Sequence, residues 1–251
     1  MLDQEEAVLL EQSRWKTVPW ALEPASKNAM TCLQDVLCDI PGLMEDAVNL
    51  RNRDREAVQK SISHQALSRS IVDCLNHLYQ CDGMKNTQNT CEEIPARQPL
   101  DEQPLFPKML HFSSIKRANE IILYSTALIF ILRLGAKAIG PTFDTSTAAL
   151  NLPPFDTQGP LYLPGQAINI QAIATDISKS VGYYLSDYCH RAGVSLPIPL
   201  RVAHVAFLST SRQAKWVDRM IIRIAELNGF EISENNKKVN PDTLNLLSMT
   251  G

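Results

Sequence analysis

The stretch from Ser195 to Asn235 constrains the fold more than any other part of this sequence, because it contains start and stop signals for two consecutive helices. Pro199 suits the first turn of a helix, where its missing N–H costs nothing. It therefore predicts a helix from Leu200 to Leu208.

The second helix of this stretch has signals at both ends. Thr210 and Gln213 have the spacing of a capping box, which satisfies free N–H groups at a helix start. Asn228-Gly229 then predicts its end, because glycine readily adopts the left-handed conformation that closes a helix. The stretch therefore predicts a helix pair that closes a helical domain.

Four further helices follow from apolar residues that recur every three or four positions. They are predicted from about Ser26 with an interruption at Pro41-Gly42, from Arg55 to Tyr79, from Ser114 to Ile139 with a stop at Gly140-Pro141, and from Gly165 to Arg191. The last of these has the most regular apolar stripe. That stripe consists of Ile170, Ile173, Ile177, Val181, Leu185 and Tyr188.

Two segments lack helical periodicity and are predicted to be long loops. Residues 81–111 are rich in Asn, Thr, Pro and Gln, and residues 141–164 contain five prolines. No stretch shows a strand pattern. We therefore expect an all-α fold, with about six helices in one irregular helical domain and two long loops rich in proline and polar residues.

The domain organisation follows from the same pattern. Residues 1–25 contain Pro19, Pro24 and two tryptophans, and are expected to be an extended lead-in segment. Residues 26–235 are expected to form the helical domain, and the polar residues 236–251 a flexible tail.

Charge and hydropathy exclude several classes of protein. The net charge of −3 gives no overall basic footprint for nucleic acid. The longest apolar run, Ile121 to Leu132, is shorter than the roughly 20 residues of a membrane span and predicts a buried core helix. The acidic start lacks the features of a signal peptide, so the six cysteines are expected to be free thiols in a reducing compartment.

Candidate metal ligands are few. Cys74, His77 and Cys81 share one helix face, but the two cysteines are seven residues apart, or about 10.5 Å along a helix. Two short cysteine side chains cannot share one ion over that distance. We expect no metal site and no bound cofactor, with Cys74 and Cys81 as buried thiols.

Candidate catalytic groups are equally weak. Cys189 and His190 are adjacent, so they point about 100° apart on a helix, and nothing in the sequence requires His204 to approach them. Gly135 and Gly140 have the spacing of a phosphate-binding loop, but Pro141 stands where its lysine belongs. The paired carboxylates are interpreted as solvated helix faces; they are Asp35 with Asp39, and Glu45 with Asp46. No catalytic residue is predicted.

The last helix carries a basic stripe, which consists of Arg212, Lys215, Arg219 and Arg223. The spacings of three, four and four place these side chains on one face. The opposite face holds Val217, Met220, Ile221 and Ile224. A solvated outer face is the favoured interpretation, and the alternative is a surface that docks an acidic partner or touches phosphates.

Four pieces of the chain resemble the C-terminal regulatory region of fungal zinc binuclear cluster transcription factors. They are RWKTVPW at Arg14 to Trp20, LQDVLCDIPGLMED at Leu33 to Asp46, DISKSVGYYLSD at Asp176 to Asp187, and the strongest, PLRVAHVAFLSTSRQAKWVDRMIIRIAELNGFEISEN at Pro199 to Asn235. Their order and spacing, over roughly residues 13 to 235, carry the resemblance.

The resemblance implies an all-helical regulatory domain that controls transcription in the nucleus. Many members of the family control metabolic or secondary-metabolite genes. It implies protein co-regulators, a homodimer partner or a small-molecule effector as partners, and no membrane. The six-cysteine zinc cluster and basic linker with which the family reads DNA do not occur in these residues, so no direct contact with nucleic acid is expected. The alternatives are a helical scaffold protein without a transcriptional role and, less favoured, an enzyme.

Overall fold

The computed structural model describes residues 16–23, 26–52, 57–81, 91–96, 105–138, 140, 143, 169–186 and 195–228, with the backbone alone at 51–52 and 57–62. Within these ranges the chain is mostly helical and has six α-helices, one short 3-10 helix and one two-stranded sheet. The predicted all-α fold with about six helices is confirmed. The residues of the second predicted loop lie almost entirely outside these ranges, as does the predicted tail.

The elements are numbered in chain order. They are the 3-10 helix Val18–Trp20, α1 Ala29–Asn52, α2 Ala57–Gln80, β1 Cys91–Pro95, β2 Lys108–Phe112, α3 Ile115–Ala138, α4 Ile170–Tyr184, α5 Pro197–Ala206 and α6 Arg212–Leu227. The chain divides into two compact units, residues 1–85 with 130–153 and residues 86–129 with 154–251. The predicted domain limits at 26 and 235 stay a prediction.

In the first unit, α1 packs against α2. Leu33, Val36 and Ile40 of α1 are buried, as the predicted stripe requires. On α2 the fully buried positions include Ile71 and Leu75. Burying each such side chain stabilises the folded chain by about 1.5–3 kcal/mol, so this contact holds the two helices together.

Pro41-Gly42 does not interrupt α1, and the predicted break is wrong. The helix runs from Ala29 to Asn52 with Pro41 inside it. Proline in a helix interior costs about 3 kcal/mol. Ile40 and Leu43 are buried on either side of Pro41, which itself is exposed, so core packing holds both halves of the helix in line.

Residues 16–20 of the lead-in segment are helical. Val18–Trp20 form a 3-10 helix with Pro19 in its first turn, in place of the extended conformation expected there. Ion pairs flank this turn on both sides, from Lys16 to Asp39 and from Lys27 to Asp35. Trp15 lies outside the described residues.

In the second unit, a short hairpin packs on α4, although the sequence predicted only a loop over residues 81–111. β1 and β2 are antiparallel, with Cys91 opposite Phe112 and Pro95 opposite Lys108. β2 also packs against α4. Each strand has only five residues, and β1 has no alternation of apolar and polar residues, so periodicity gave no indication of it.

α4 also packs against α5, and α5 packs against α6. The predicted stripe of α4 is confirmed at Ile173, Ile177 and Val181, which are all buried. α5 starts at Pro197, three residues before the predicted start at Leu200. Tyr188, the last residue of the predicted α4 stripe, lies outside the described residues.

α3 contains the longest apolar run of the chain, Ile121 to Leu132. Of the described helices, α3 is long and apolar enough to cross a membrane. Its most apolar stretch of 18 residues is 67% buried. This composition is weak evidence for a span, because the core helix of a soluble protein passes the same test. Gly140 follows the helix with a φ of 88° and donates its N–H to the Ala136 carbonyl oxygen at 3.1 Å, as the predicted glycine stop requires.

Candidate functional site

The basic stripe lies on the exposed side of α6. Arg212, Lys215, Arg219 and Arg223 are all exposed. Eleven residue steps at a rise of 1.5 Å make the stripe about 16 Å long, or three helical turns. Its charges therefore form one continuous strip along the helix.

The inner face of α6 fixes the orientation of this strip. Val217 and Ile224 are fully buried, as predicted, and Met220 and Ile221 are half-buried. The half-buried Trp216 contacts Phe106 edge to face, with ring centroids 5.2 Å apart. These contacts anchor the helix along most of its length.

Both ends of α6 are capped. The Ser211 hydroxyl accepts a hydrogen bond from the Ala214 N–H at 3.1 Å, so Ser211 is the N-cap and the predicted capping box at Thr210 is wrong by one residue. At the other end the Asn228 side-chain amide donates to the Ile224 carbonyl oxygen at 2.7 Å. Gly229, the predicted stop, lies outside the described residues.

Two apolar side chains lie beside the stripe and were missed by sequence reasoning. Ile222 is 41% exposed and Leu227 is 56% exposed. Ile222 follows Arg219 by three residues, and Leu227 follows Arg223 by four, so each is a neighbour of the stripe on the helix surface. A helical projection of the sequence places Ile222 outside the apolar inner face, and Leu227 at the edge of that face between Arg223 and Met220.

Two acidic side chains share this exposed side of α6. Asp218 and Glu226 are both exposed. Asp218 also lies 3.3 Å from His204 of α5, measured from Oδ1 to Nε2. The face therefore combines a row of four cations with two carboxylates and two apolar side chains.

The candidate metal ligands on α2 do not converge. Cys74 and Cys81 are buried, and His77 is exposed. The pKa of the Cys74 thiol is raised to about 12, mainly by burial. The Cys81 thiol donates a hydrogen bond to the His77 carbonyl oxygen at 3.5 Å. Nowhere in the described part of the chain do three or more His, Cys, Asp or Glu side chains gather in a way that could hold a metal ion.

The candidate catalytic groups are described only in part. Cys189 and His190 lie outside the described residues, and His204 pairs with Asp218. The absence of enzymatic activity therefore stays a prediction. Gly135 is inside α3 rather than in a phosphate loop, and an added Cβ there would collide with the ring of Phe143.

The paired carboxylates differ in their surroundings. Glu45 and Asp46 are exposed, as a solvated face requires. Asp35 and Asp39 are half-buried and pair with lysines, so the interpretation of a solvated face is wrong for them. Lys16 of the lead-in segment pairs with Asp39, and Lys27, just before α1, pairs with Asp35.

A charged cluster between the hairpin and α4 also escaped sequence reasoning. Lys179 of α4 lies 2.6 Å from Glu93 of β1 and 3.5 Å from Asp176, and Lys108 of β2 lies 3.2 Å from Glu93. The hydrogen bond from Lys179 is the main cause that lowers the pKa of Glu93. Burial, assisted by the Asp176 charge, raises the pKa of the Cys91 thiol to about 12, which makes it a poor nucleophile.

No protein-family model, curated protein or solved structure matches this chain. The resemblance to fungal zinc binuclear cluster transcription factors thus rests on the four sequence pieces alone. What it implies about function is a proposal.

Proposed function

We propose that this chain is a helical regulatory domain that controls transcription in the nucleus through protein partners. The transcriptional context comes from the four sequence pieces over residues 13–235. The observation that carries the role in partner binding is the basic stripe, four exposed cations on a helix whose inner face and both ends are fixed.

In this proposal the chain does not contact DNA itself. Its net charge is −3, and Asp218 and Glu226 lie on the same exposed side as the cations of the stripe. Carboxylates at these positions would repel phosphates, so the face suits a protein better than a nucleic acid. Co-regulators or a second copy of the chain are the partners this supports, with or without a small-molecule effector.

The test is a tethering experiment with the whole 251-residue chain. The chain is fused to an unrelated DNA-binding domain, and a reporter gene carrying that domain's sites is measured. We expect activation or repression of at least about threefold. A reporter that stays unchanged in both directions would reject the transcriptional role and favour the helical scaffold.

Charge variants connect this activity to the stripe. Lys215→Glu with Arg223→Glu should remove the reporter effect. Arg69→Glu with Lys116→Glu changes the net charge equally, at exposed positions of α2 and α3, and should leave the effect intact. An equal loss in both variants would show that net charge matters rather than this surface.

A further inference from the structure

We infer that the exposed side of α6 binds an acidic amphipathic helix of a partner protein. The site consists of the basic stripe together with Ile222 and Leu227, and is called the α6 docking face below. The inference deepens the proposed function by naming the chemistry of the partner, and it rests on that proposal for its biological setting.

The row of cations matches an acidic helix in length and spacing. The stripe extends over about 16 Å, so a partner helix of about three turns would cover it. Carboxylates three or four residues apart lie on one face of such a helix and would repeat at the same spacing as the cations. Arginine contributes planar, bidentate recognition of carboxylates, and three of the four cations are arginines.

Apolar side chains flank the row of cations on both sides. Ile222 and Leu227 are 41% and 56% exposed beside the stripe, where polar residues would keep the helix equally soluble. A partner helix that carries leucines next to its carboxylates would cover both side chains. Burying this apolar surface adds binding free energy that charge pairs at an exposed face supply only weakly.

The acidic side chains disfavour a nucleic acid as the occupant. Glu226 lies in line with the cations, and Asp218 lies at the side of the stripe, where it faces His204 of α5. A phosphate backbone offers no apolar group that could cover Ile222 and Leu227. A peptide can place its own lysine or a polar residue opposite a carboxylate, whereas the phosphates of a duplex are uniformly negative. The mixed composition of the face therefore favours protein.

The experiment measures binding of a designed peptide to the purified full chain. The probe is a fluorescein-labelled, helix-forming peptide of 16 residues with glutamates along one face and two leucines beside them. One control peptide has glutamine in place of every glutamate, and a second has serine in place of both leucines. Fluorescence anisotropy is recorded at low and at 0.3 M salt, with a 20-base-pair duplex of random sequence as a further probe.

We expect the acidic peptide to bind, and each control peptide to bind at least about fivefold more weakly. Added salt should weaken binding, because exposed ion pairs are screened. Lys215→Glu with Arg223→Glu should weaken binding at least about tenfold, and Ile222→Ser with Leu227→Ser about fivefold. Arg69→Glu with Lys116→Glu should change it less than twofold. Circular dichroism confirms that each variant is folded.

Three results would overturn the inference: no binding of the acidic peptide, equal binding of the glutamine peptide, or duplex DNA that binds as tightly as the acidic peptide. Peptide binding does not depend on any effect on transcription. If the peptide binds and the reporter gene is unchanged, the α6 docking face is supported and the transcriptional role is rejected. If the reporter gene responds and the peptide does not bind, the transcriptional role is supported and the docking face is rejected.

Discussion

Lys179 Nζ lies 2.6 Å from Glu93 Oε1, although 86 residues separate them in the sequence. The other oxygen of Glu93 accepts from Lys108 Nζ at 3.2 Å. Glu93 thus joins the two strands of the hairpin to each other and to α4. Lys179 in turn lies 3.5 Å from Asp176, a buried carboxylate one turn earlier in the same helix. This charged cluster fixes the hairpin on the helix.

Replacing Lys179 with methionine should lower the free energy of unfolding by about 1–3 kcal/mol at pH 8, because Asp176 would then be a buried carboxylate without a cation. This figure is below the roughly 3–5 kcal/mol for breaking a fully buried pair, since the Lys179 side chain is 20% exposed and that of Glu93 is 28% exposed. Urea unfolding measures the change. Lys116→Met, at an exposed position of α3, should stay within about 0.5 kcal/mol of the parent, and equal effects of the two variants would contradict the prediction.

The charge of Asp176 is set by opposing effects. Burial raises the pKa of this carboxyl to about 7, although the nearby ammonium of Lys179 acts to lower it. In the unfolded chain the group has its ordinary value of 3.8. The folded chain therefore binds more protons than the unfolded chain between these values. Its stability must fall as the pH rises through that window.

Asp176→Asn should flatten this pH dependence. We expect the parent chain to lose about 2–3 kcal/mol more stability than the variant between pH 5 and pH 8. The opposite contribution of Glu93, whose pKa is lowered, is lost only in more acidic solution, so it stays constant over this range. Urea unfolding at several pH values measures both profiles, and parallel profiles would show that Asp176 does not titrate there.

Long periodic helices were predictable from the sequence, and contacts between distant segments were not. α4 was predicted because Ile173, Ile177 and Val181 repeat at helical spacing, and all three are buried in the structure. β1 was missed because its five residues, CEEIP, carry no alternation. The pair between Glu93 and Lys179 depends on where the hairpin packs, which local pattern does not encode.

The candidate site was predictable in part for the same reason. The basic stripe follows from helical geometry alone. A full helical projection would also have shown Ile222 and Leu227 beside it. Asp176 and Lys179 stand three residues apart within one helix, which is a visible pairing signal. The burial of Asp176 could not be seen, because it depends on the elements packed around α4.

The N-cap of α6 offers a direct comparison of two neighbouring residues. Ser211→Ala should lower the free energy of unfolding by about 1 kcal/mol, because the Ala214 N–H would lose its acceptor. Thr210→Ala should have an effect within about 0.5 kcal/mol, since Thr210 is exposed and precedes the cap. Thermal or urea unfolding of the two variants decides which residue caps the helix, and a larger loss for Thr210 would restore the capping box predicted from the sequence.

Pro41 should be replaceable with a gain in stability. It lies inside α1, where its ring cannot donate the N–H that would bond the Leu37 carbonyl oxygen, and its side chain is exposed. Pro41→Ala would restore that donor without removing a buried contact, and we expect the free energy of unfolding to rise by about 1–3 kcal/mol. The expected gain is smaller than the full cost of an interior proline. One reason is that alanine makes the unfolded chain more flexible, and this stabilises the unfolded state as well. Pro19→Ala is the matched control, because Pro19 lies in the first turn of the 3-10 helix, where no donor is needed, and should give no gain. A loss of stability in Pro41→Ala would mean that Pro41 shapes the helix in a way its packing requires.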